Sequence, residues 1–326
     1  MASSLVVLSW HNVEPTWFFP ARPGAGRRGL ERQFRFLRRA ANVVPLEPAL
    51  AALGEGRPLP PRAVAITFDD GYLDTLTVAT PLLQRLGLPA TCFLVPDLLS
   101  GRVRPWWELL GWALASARRE LVAWEGRTLR LGGPGERHAA AETVAELLKR
   151  RPQAARDEAI AELLERCQPA GRFDDRALFL GWDGAEELVR HGVAVASHSK
   201  RHSILGQETG DDQERDLAES RQALEGRLGV PVRLLAYPNG LRQDYDQATI
   251  AAARSAGYSH ALTTVRGRNL PSTAPYELRR FVVQPERGLA GFALTPLHLL
   301  RDRLADRGAA PERPSSRFPG RGPRVA

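Results

Sequence analysis

Two short apolar segments that end in candidate metal ligands constrain this chain of 326 residues more than any other feature. The first, Ala65–Phe68, is followed by the acidic pair Asp69–Asp70 and a glycine. The second, residues 193–196, is followed closely by His198, and His202 comes four residues later. Apolar runs of this length are typical of buried strands in a parallel sheet, and the carboxyl ends of such strands meet at one edge. The sequence therefore predicts an α/β fold in which these side chains converge.

Each segment taken alone has a simpler interpretation. An Asp-Asp-Gly sequence is typical of a turn, and two histidines four residues apart are common on protein surfaces. Their shared position after strand-like runs favours a joint site. Two imidazoles and one carboxylate suit zinc or a similar divalent ion, leave coordination positions open, and leave the second carboxylate free as a base.

Three segments together resemble the motifs of a known family. They are Thr67–Gly71 (TFDDG), His198–His202 (HSKRH) and Leu235–Gly240 (LAYPNG). The chain resembles the polysaccharide deacetylases, which are metal-dependent carbohydrate esterases with a chitooligosaccharide-deacetylase-type domain. The resemblance covers most of residues 1–300. It implies an irregular (β/α) barrel of about seven strands, and an enzyme that removes the acetyl group from N-acetylated or, less often, O-acetylated sugars.

The resemblance also implies roles for individual residues. It makes Asp69 the general base, and it makes Asp70, His198 and His202 the ligands of a divalent metal, for which zinc is expected. The backbone amide of Tyr237 is expected to hold the oxyanion of the tetrahedral intermediate.

Two histidines are candidates for the acid that protonates the departing amine. His298 lies in a C-terminal Leu-His-Leu-Leu segment, near where many members carry the acid, but its apolar surroundings favour a helix-face histidine. His11 follows the strand-like run Ser4–Ser9, and it resembles a subgroup that carries the acid on the first strand. We predict His11, with His298 as the alternative.

The third motif departs from the pattern of the family. Ala236 lies where many members have an arginine that contacts the base, and Asn239 replaces a common aromatic residue. Arg279 or Arg280, in a late strand-like segment, is a candidate replacement, with a surface position as the alternative. We include Asn239 and Arg279 among the expected substrate contacts.

Tryptophans are the remaining candidates for sugar contacts, since indole rings suit the apolar faces of pyranoses. Trp10 precedes His11, and Trp107 lies in the segment Pro105–Glu108. The alternative for Trp107 is a packing role. Its segment opens residues 101–172, which read as a largely helical insertion in a single catalytic domain of residues 1–300. Residues 301–326 are rich in Arg, Pro and Gly, and we expect a disordered tail.

Composition limits the possible partners and location. The formal net charge of +8 comes almost wholly from arginine, and no recognition helix or aromatic-interleaved basic strand indicates nucleic-acid binding. The charge fits a sugar that carries an anionic group better. No run approaches the length of a membrane span and no signal peptide is visible, so we expect a cytoplasmic protein. A hydrolase of non-sugar linear amides and an inactive sugar-binding relative remain alternatives; the exact substrate and the oligomeric state stay open.

Overall fold

The computed structural model describes residues 3–21, 25–283 and 292. In chain order, its strands are β1 (Leu5–Trp10), β2 (Asn42–Val43), β3 (Ala63–Phe68), β4 (Ala90–Leu94), β5 (Leu121–Trp124), β6 (Arg127–Arg130), β7 (Ala194–Ser197), β8 (Leu234–Ala236), β9 (His260–Leu262) and β10 (Phe281–Val282). Its α-helices are α1 (Gly26–Ala40), α2 (Leu46–Gly54), α3 (Thr80–Leu86), α4 (Pro96–Leu99), α5 (Trp106–Ala115), α6 (Pro134–Leu148), α7 (Gln153–Cys167), α8 (Trp182–Arg190), α9 (Gly210–Leu228) and α10 (Gln247–Ser255). A π-helical turn, Thr75–Ala79, leads into α3, and a 3-10 turn, Leu205–Gln207, precedes α9.

The central sheet is parallel and curls into a barrel. Its strand order is β10-β1-β3-β4-β7-β8-β9, with β2 beside β3. A parallel bridge between Leu262 and Leu278 joins the end of β9 to the segment that leads into β10, which brings the two ends of the order together. The irregular (β/α) barrel of about seven strands is therefore confirmed.

Both faces of the strands are buried, and alternate residues serve different layers. From β1, Val6, Leu8 and Trp10 belong to the core between sheet and outer helices, while Leu5 and Val7 belong to the barrel interior. Helix α2 packs against the same interior cluster. This alternation decides which side chains reach the barrel mouth, because successive residues of a strand point to opposite faces.

A largely helical segment lies between β4 and β7, as predicted. Helices α5, α6 and α7 pack with the antiparallel β5–β6 hairpin around a hydrophobic core of their own. Trp106, Trp107 and Trp112 all lie in this second core.

None of the described helices is long and apolar enough to cross a membrane. The two cysteines, Cys92 and Cys167, are buried and not joined to each other. His298 and the predicted tail at 301–326 lie outside the described residues.

Candidate metal centre and active site

Asp70, His198 and His202 come together where β3 and β7 end. One potential ligand atom from each lies within 4.8 Å of the others, and all three residues are buried. Oδ1 of Asp70 is 3.3 Å from Nε2 of His198 and 3.2 Å from Nε2 of His202. The parallel strands thus deliver two distant sequence segments to one point.

The chemistry of this donor set fits a divalent cation. Nδ1 of His198 donates to the carbonyl oxygen of Ala236 at 2.7 Å, so its Nε2 carries a lone pair that faces Asp70. Oδ1 of Asp70 is buried and accepts no hydrogen bond from any described residue. Lone-pair atoms that face one another in a buried site repel unless a cation lies between them, and nitrogen and oxygen donors suit zinc and similar ions.

The pKa shifts of Asp70 and His202 favour the same ligand set, whereas the hydrogen bond with Asp70 and the charge of Asp69 outweigh burial and raise the pKa of His198. Burial raises the pKa of Asp70, but the proximity of His198 and His202 outweighs burial and holds that pKa well below its usual range. Burial lowers the pKa of His202, and it prevails over the opposing effect of Asp70. A carboxylate and a neutral imidazole are the forms that bind metal.

Backbone strain is concentrated around the site. Asp70, Ser199, His202 and Asn239 have φ angles of 71°, 61°, 55° and 57°, and they make up four of the seven non-glycine residues with positive φ in the described chain. Each such residue costs of the order of 1–3 kcal/mol and persists only where surrounding contacts hold it. The four lie in or beside the three motifs, so the fold bears this strain where the polar groups converge.

Asp69 is adjacent to the ligand set but is bound by other partners. Its Oδ1 accepts a hydrogen bond from Nη1 of Arg280 at 2.8 Å, and its Oδ2 accepts one from the hydroxyl of Ser9 at 3.1 Å. Burial raises the pKa of Asp69, but the positive charge of Arg280, followed by the effects of His198 and His11, outweighs burial and lowers it overall. The result is an ionised, uncoordinated carboxylate beside the candidate metal site.

The arginine beside Asp69 is Arg280 and not Arg279. Arg280 is fully buried, and its Nε also donates to the carbonyl oxygen of Thr263 at 3.0 Å. The side chain of Arg279 lies against Gly267 instead, as expected for the neighbouring residue of an extended segment. The substrate contact at Arg279 stays a prediction, while Arg280 is the arginine that contacts Asp69, in the place left by Ala236.

His11 lies beside Asp69 because their strands are neighbours in register. Trp10 is paired with Phe68 across β1 and β3, so the residues that follow them emerge side by side. Nε2 of His11 is 4.0 Å from Oδ2 of Asp69, and its side chain is 29% exposed. The imidazole is thus close to the base and open to solvent.

Tyr237 is a core residue. Its backbone amide donates to the carbonyl oxygen of Leu262 at 3.0 Å, its ring stacks on that of Tyr245, and its hydroxyl donates to the carbonyl oxygen of Tyr276. The prediction that this amide holds an oxyanion is therefore wrong, since the N–H is used within the barrel. Asn239 lies two residues later, half-buried, and its buried Nδ2 finds no acceptor among the described residues.

The two tryptophans predicted to contact sugar are buried. Trp10 points to the outer core and donates from Nε1 to Gln33, so its predicted sugar contact is corrected. Trp107 packs with its ring centroid 4.4 Å from that of His202 and donates from Nε1 to the hydroxyl of Tyr72. It supports a candidate ligand from the side and shows the packing role that the sequence left open.

An exposed indole lies in the loop that follows β1, where Trp17 is 45% exposed. Its loop is fixed on α5, because the carboxylate of Glu108 accepts hydrogen bonds from Thr16 and from the amide of Phe18. The backbone of Trp17 passes so close to Gly111 that an added Cβ there would lie 2.7 Å away. Sequence reasoning missed this residue, since nothing local distinguishes an exposed tryptophan from a buried one.

Comparisons with known proteins agree with this arrangement. Residues 56–116 and 137–261 match the sequence model of the polysaccharide deacetylase family. YxkH of Bacillus subtilis (strain 168), provisionally named a polysaccharide deacetylase, is 22% identical over 251 residues, which are 77% of this chain. The poly-beta-1,6-N-acetyl-D-glucosamine N-deacetylase of Escherichia coli (strain K12) is 36% identical over 89 residues, or 27% of this chain. The matches span 61% and 13% of the lengths of those two relatives.

The fold has solved counterparts. The Streptococcus pyogenes deacetylase PplD, solved in complex with acetate, superposes with a TM-score of 0.62 at 16% identity, covering 90% of this chain and 99% of that one. At this identity the likeness concerns the fold alone. The family match extends over more than half of the residues and includes all three motifs, so this chain belongs to the polysaccharide deacetylase family.

Proposed function

We propose that this chain is a divalent-metal-dependent deacetylase that hydrolyses the acetamide of an N-acetylated sugar or glycoconjugate to a free amine and acetate. The observation that carries the proposal is the buried convergence of Asp70, His198 and His202, with Asp69 close by but bound to Arg280. The first three residues would hold the ion, with zinc as our first choice. When bound, such an ion lowers the pKa of a water molecule toward about 7 and polarises an acyl oxygen.

Asp69 is the proposed base. Its hydrogen bonds from Arg280 and Ser9 fix the carboxylate and keep it ionised, so it can take a proton from the attacking water. Because Asp69 is not one of the proposed metal ligands, its lone pairs remain available for that proton.

His11 is the proposed acid. An amide nitrogen leaves poorly as an anion, so a proton must reach it as the carbon–nitrogen bond breaks. The imidazole of His11 lies 4.0 Å from Asp69 and is partly open to solvent, as a group that approaches substrate must be. His298 is the alternative.

Trp17 is the proposed sugar contact, in place of Trp10 and Trp107. Its loop follows the same strand that delivers His11, and the ring of the nearby Phe19 lies 6.3 Å from that of His11. Because Glu108 and Gly111 fix the loop backbone, the exposed indole would offer a pyranose a surface with little entropy to lose.

The substrate class follows from the relatives. The name of the Escherichia coli relative specifies a poly-beta-1,6-N-acetyl-D-glucosamine substrate, and a polymer of N-acetylglucosamine is our first candidate here. A sugar that carries an anionic group is the second, because the chain has a net charge of +8. A cytoplasmic location remains a prediction from the sequence.

The test is acetate release by purified, zinc-loaded protein. Oligomers of β-1,6-linked N-acetylglucosamine, chitin oligomers and N-acetylated non-sugar amines are assayed in parallel, with Asp70→Ala as the control. Acetate from a sugar substrate that disappears with chelator and in Asp70→Ala supports the proposal. If only the non-sugar amines are turned over, the proposed substrate changes from a sugar to a linear amide. Tight sugar binding without any turnover would identify an inactive sugar-binding relative.

A further inference from the structure

Residues 198–203, called the ligand loop below, carry both histidines of the candidate metal site. Two of these residues, Ser199 and His202, have left-handed backbone conformations. For an L-residue this conformation costs roughly 1–2 kcal/mol, so the loop does not hold its shape by local preference. Some other part of the protein must fix it.

Asp216 on α9 is placed to do so. It is 3% exposed, and its Oδ1 accepts a hydrogen bond from the backbone amide of Lys200 at 2.6 Å. Its Oδ2 accepts one from the hydroxyl of Ser203 at 3.1 Å and lies 3.6 Å from Nε of Arg201. One buried carboxylate therefore contacts three positions of the loop, two of which lie between the histidines while the third follows the second histidine.

The same contacts join the ligand loop to the helical insertion. The hydroxyl of Ser203 also lies 2.9 Å from Oε1 of Gln153, the first residue of α7. The serine thus allows a contact that connects α9, α7 and the loop.

We propose that Asp216 is a positioning residue that fixes the ligand loop so that both imidazoles face Asp70. It touches neither substrate nor ion, and the inference rests on the proposed metal site. Partners that orient metal ligands typically contribute about 10- to 100-fold to metal affinity or activity. Asp216 differs from the usual case because it acts on the backbone that carries the ligands and not on an imidazole nitrogen.

The experiment compares wild type, Asp216→Asn, Ser203→Ala and a matched control, Asp211→Asn. Asp211 is an exposed aspartate on the same helix. Zinc affinity is measured by competition with a chromophoric chelator, and the cobalt-loaded proteins are compared by their visible spectra. We expect zinc binding to be about 10- to 100-fold weaker in Asp216→Asn and roughly threefold to tenfold weaker in Ser203→Ala. We also expect a changed cobalt spectrum in Asp216→Asn, while Asp211→Asn matches wild type.

The outcomes separate this inference from the proposed function. If wild type binds zinc but releases no acetate, the deacetylase proposal fails, and the affinity ratio still decides the role of Asp216. Zinc affinity within twofold of wild type in both variants, together with an unchanged cobalt spectrum, would overturn the positioning role even if their thermal stability falls. If Asp216→Asn does not fold, Ser203→Ala decides by the same criteria. A wild-type protein that binds neither zinc nor cobalt would overturn both proposals.

Discussion

Replacing Arg280 by methionine removes the cation that faces Asp69 and keeps a side chain of similar length. Arg280 and Asp69 are both fully buried, and their hydrogen bond is 2.8 Å long. Burial alone raises the pKa of Asp69, and the charge of Arg280 is the largest effect that lowers it. We therefore expect the substitution to raise the pKa of this carboxylate and to leave less of the ionised base at neutral pH.

The magnitude follows from the geometry. At an effective dielectric constant of about 20, two unit charges about 4 Å apart attract by about 4 kcal/mol. A tenfold change in an equilibrium constant needs only about 1.4 kcal/mol, so a loss of one third of this attraction changes the ionisation constant of Asp69 enough to displace the acid limb of a pH profile measurably. Removing one partner of a buried ion pair also destabilises a fold by about 3–5 kcal/mol.

The sign of the pH dependence differs between the two proteins. In wild type the pKa of Asp69 is lowered, so its stabilising effect is present above the pKa of the unfolded chain and is lost as pH falls through the folded value. In Arg280→Met the raised pKa reverses the sign of the contribution that Asp69 makes to the free energy of unfolding. Acidification from neutral pH then protonates Asp69 and lowers the free-energy cost of burying it.

The assay is the pH profile of kcat/KM for acetate release, with thermal unfolding measured over the same pH range. We expect a loss of roughly tenfold or more on the acid side of the wild-type profile, recovery at higher pH, and an acid limb displaced upward. Arg280→Lys, which retains a cation, should lose less than Arg280→Met, and Arg279→Met should behave as wild type. An unmoved acid limb in a folded Arg280→Met protein would refute the assignment of Arg280 as the group that keeps Asp69 ionised.

Four further predictions concern the site. Asp69→Asn should bind zinc with unchanged stoichiometry and release no acetate; full activity would exclude Asp69 as the base. His11→Ala should lower kcat/KM roughly 10²- to 10⁴-fold, the usual contribution of a positioned acid, whereas His298→Ala should not, and the reverse result would exchange their roles. Zinc at about 100 times its Kd should stabilise wild type by about 2.7 kcal/mol in thermal unfolding, and this gain should vanish in Asp70→Ala. Trp17→Ala should raise KM for oligosaccharides severalfold with kcat unchanged, while Trp17→Phe should keep KM near wild type; equal KM values in all three proteins would remove Trp17 from the sugar site.

Sequence reasoning located the barrel and the convergence of Asp70, His198 and His202 because both depend on local patterns. An apolar run that ends in a polar residue gives the strand and its terminus, and the parallel topology then brings those ends to one edge. The pairing of strands that are distant in sequence follows from the parallel fold class, so it did not have to be predicted separately.

Predictions that depended on the direction of a side chain were less successful. All six residues of β1 are buried, so no alternation of polar and apolar residues indicates which side Trp10 faces. For the same reason the sequence left Arg279 and Arg280 as equal candidates. The role of the Tyr237 amide failed for a related reason, because its hydrogen bond to Leu262 depends on the neighbouring strand, which single-residue patterns do not reveal.

The insertion has a structural relation to the site that its own sequence does not suggest. Glu108 of α5 accepts hydrogen bonds from Thr16, in the loop after β1, and from the hydroxyl of Tyr72, just after the acidic pair. At the start of α7, Gln153 contacts Ser203 of the ligand loop. The insertion therefore contacts three segments of the site, each of which follows a strand. The first carries His11, the second carries Asp69 and Asp70, and the third carries the two candidate histidine ligands. Since left-handed residues at the site persist only where surrounding contacts fix them, a change in the packing of the insertion should alter the geometry of the candidate metal centre before it unfolds the barrel.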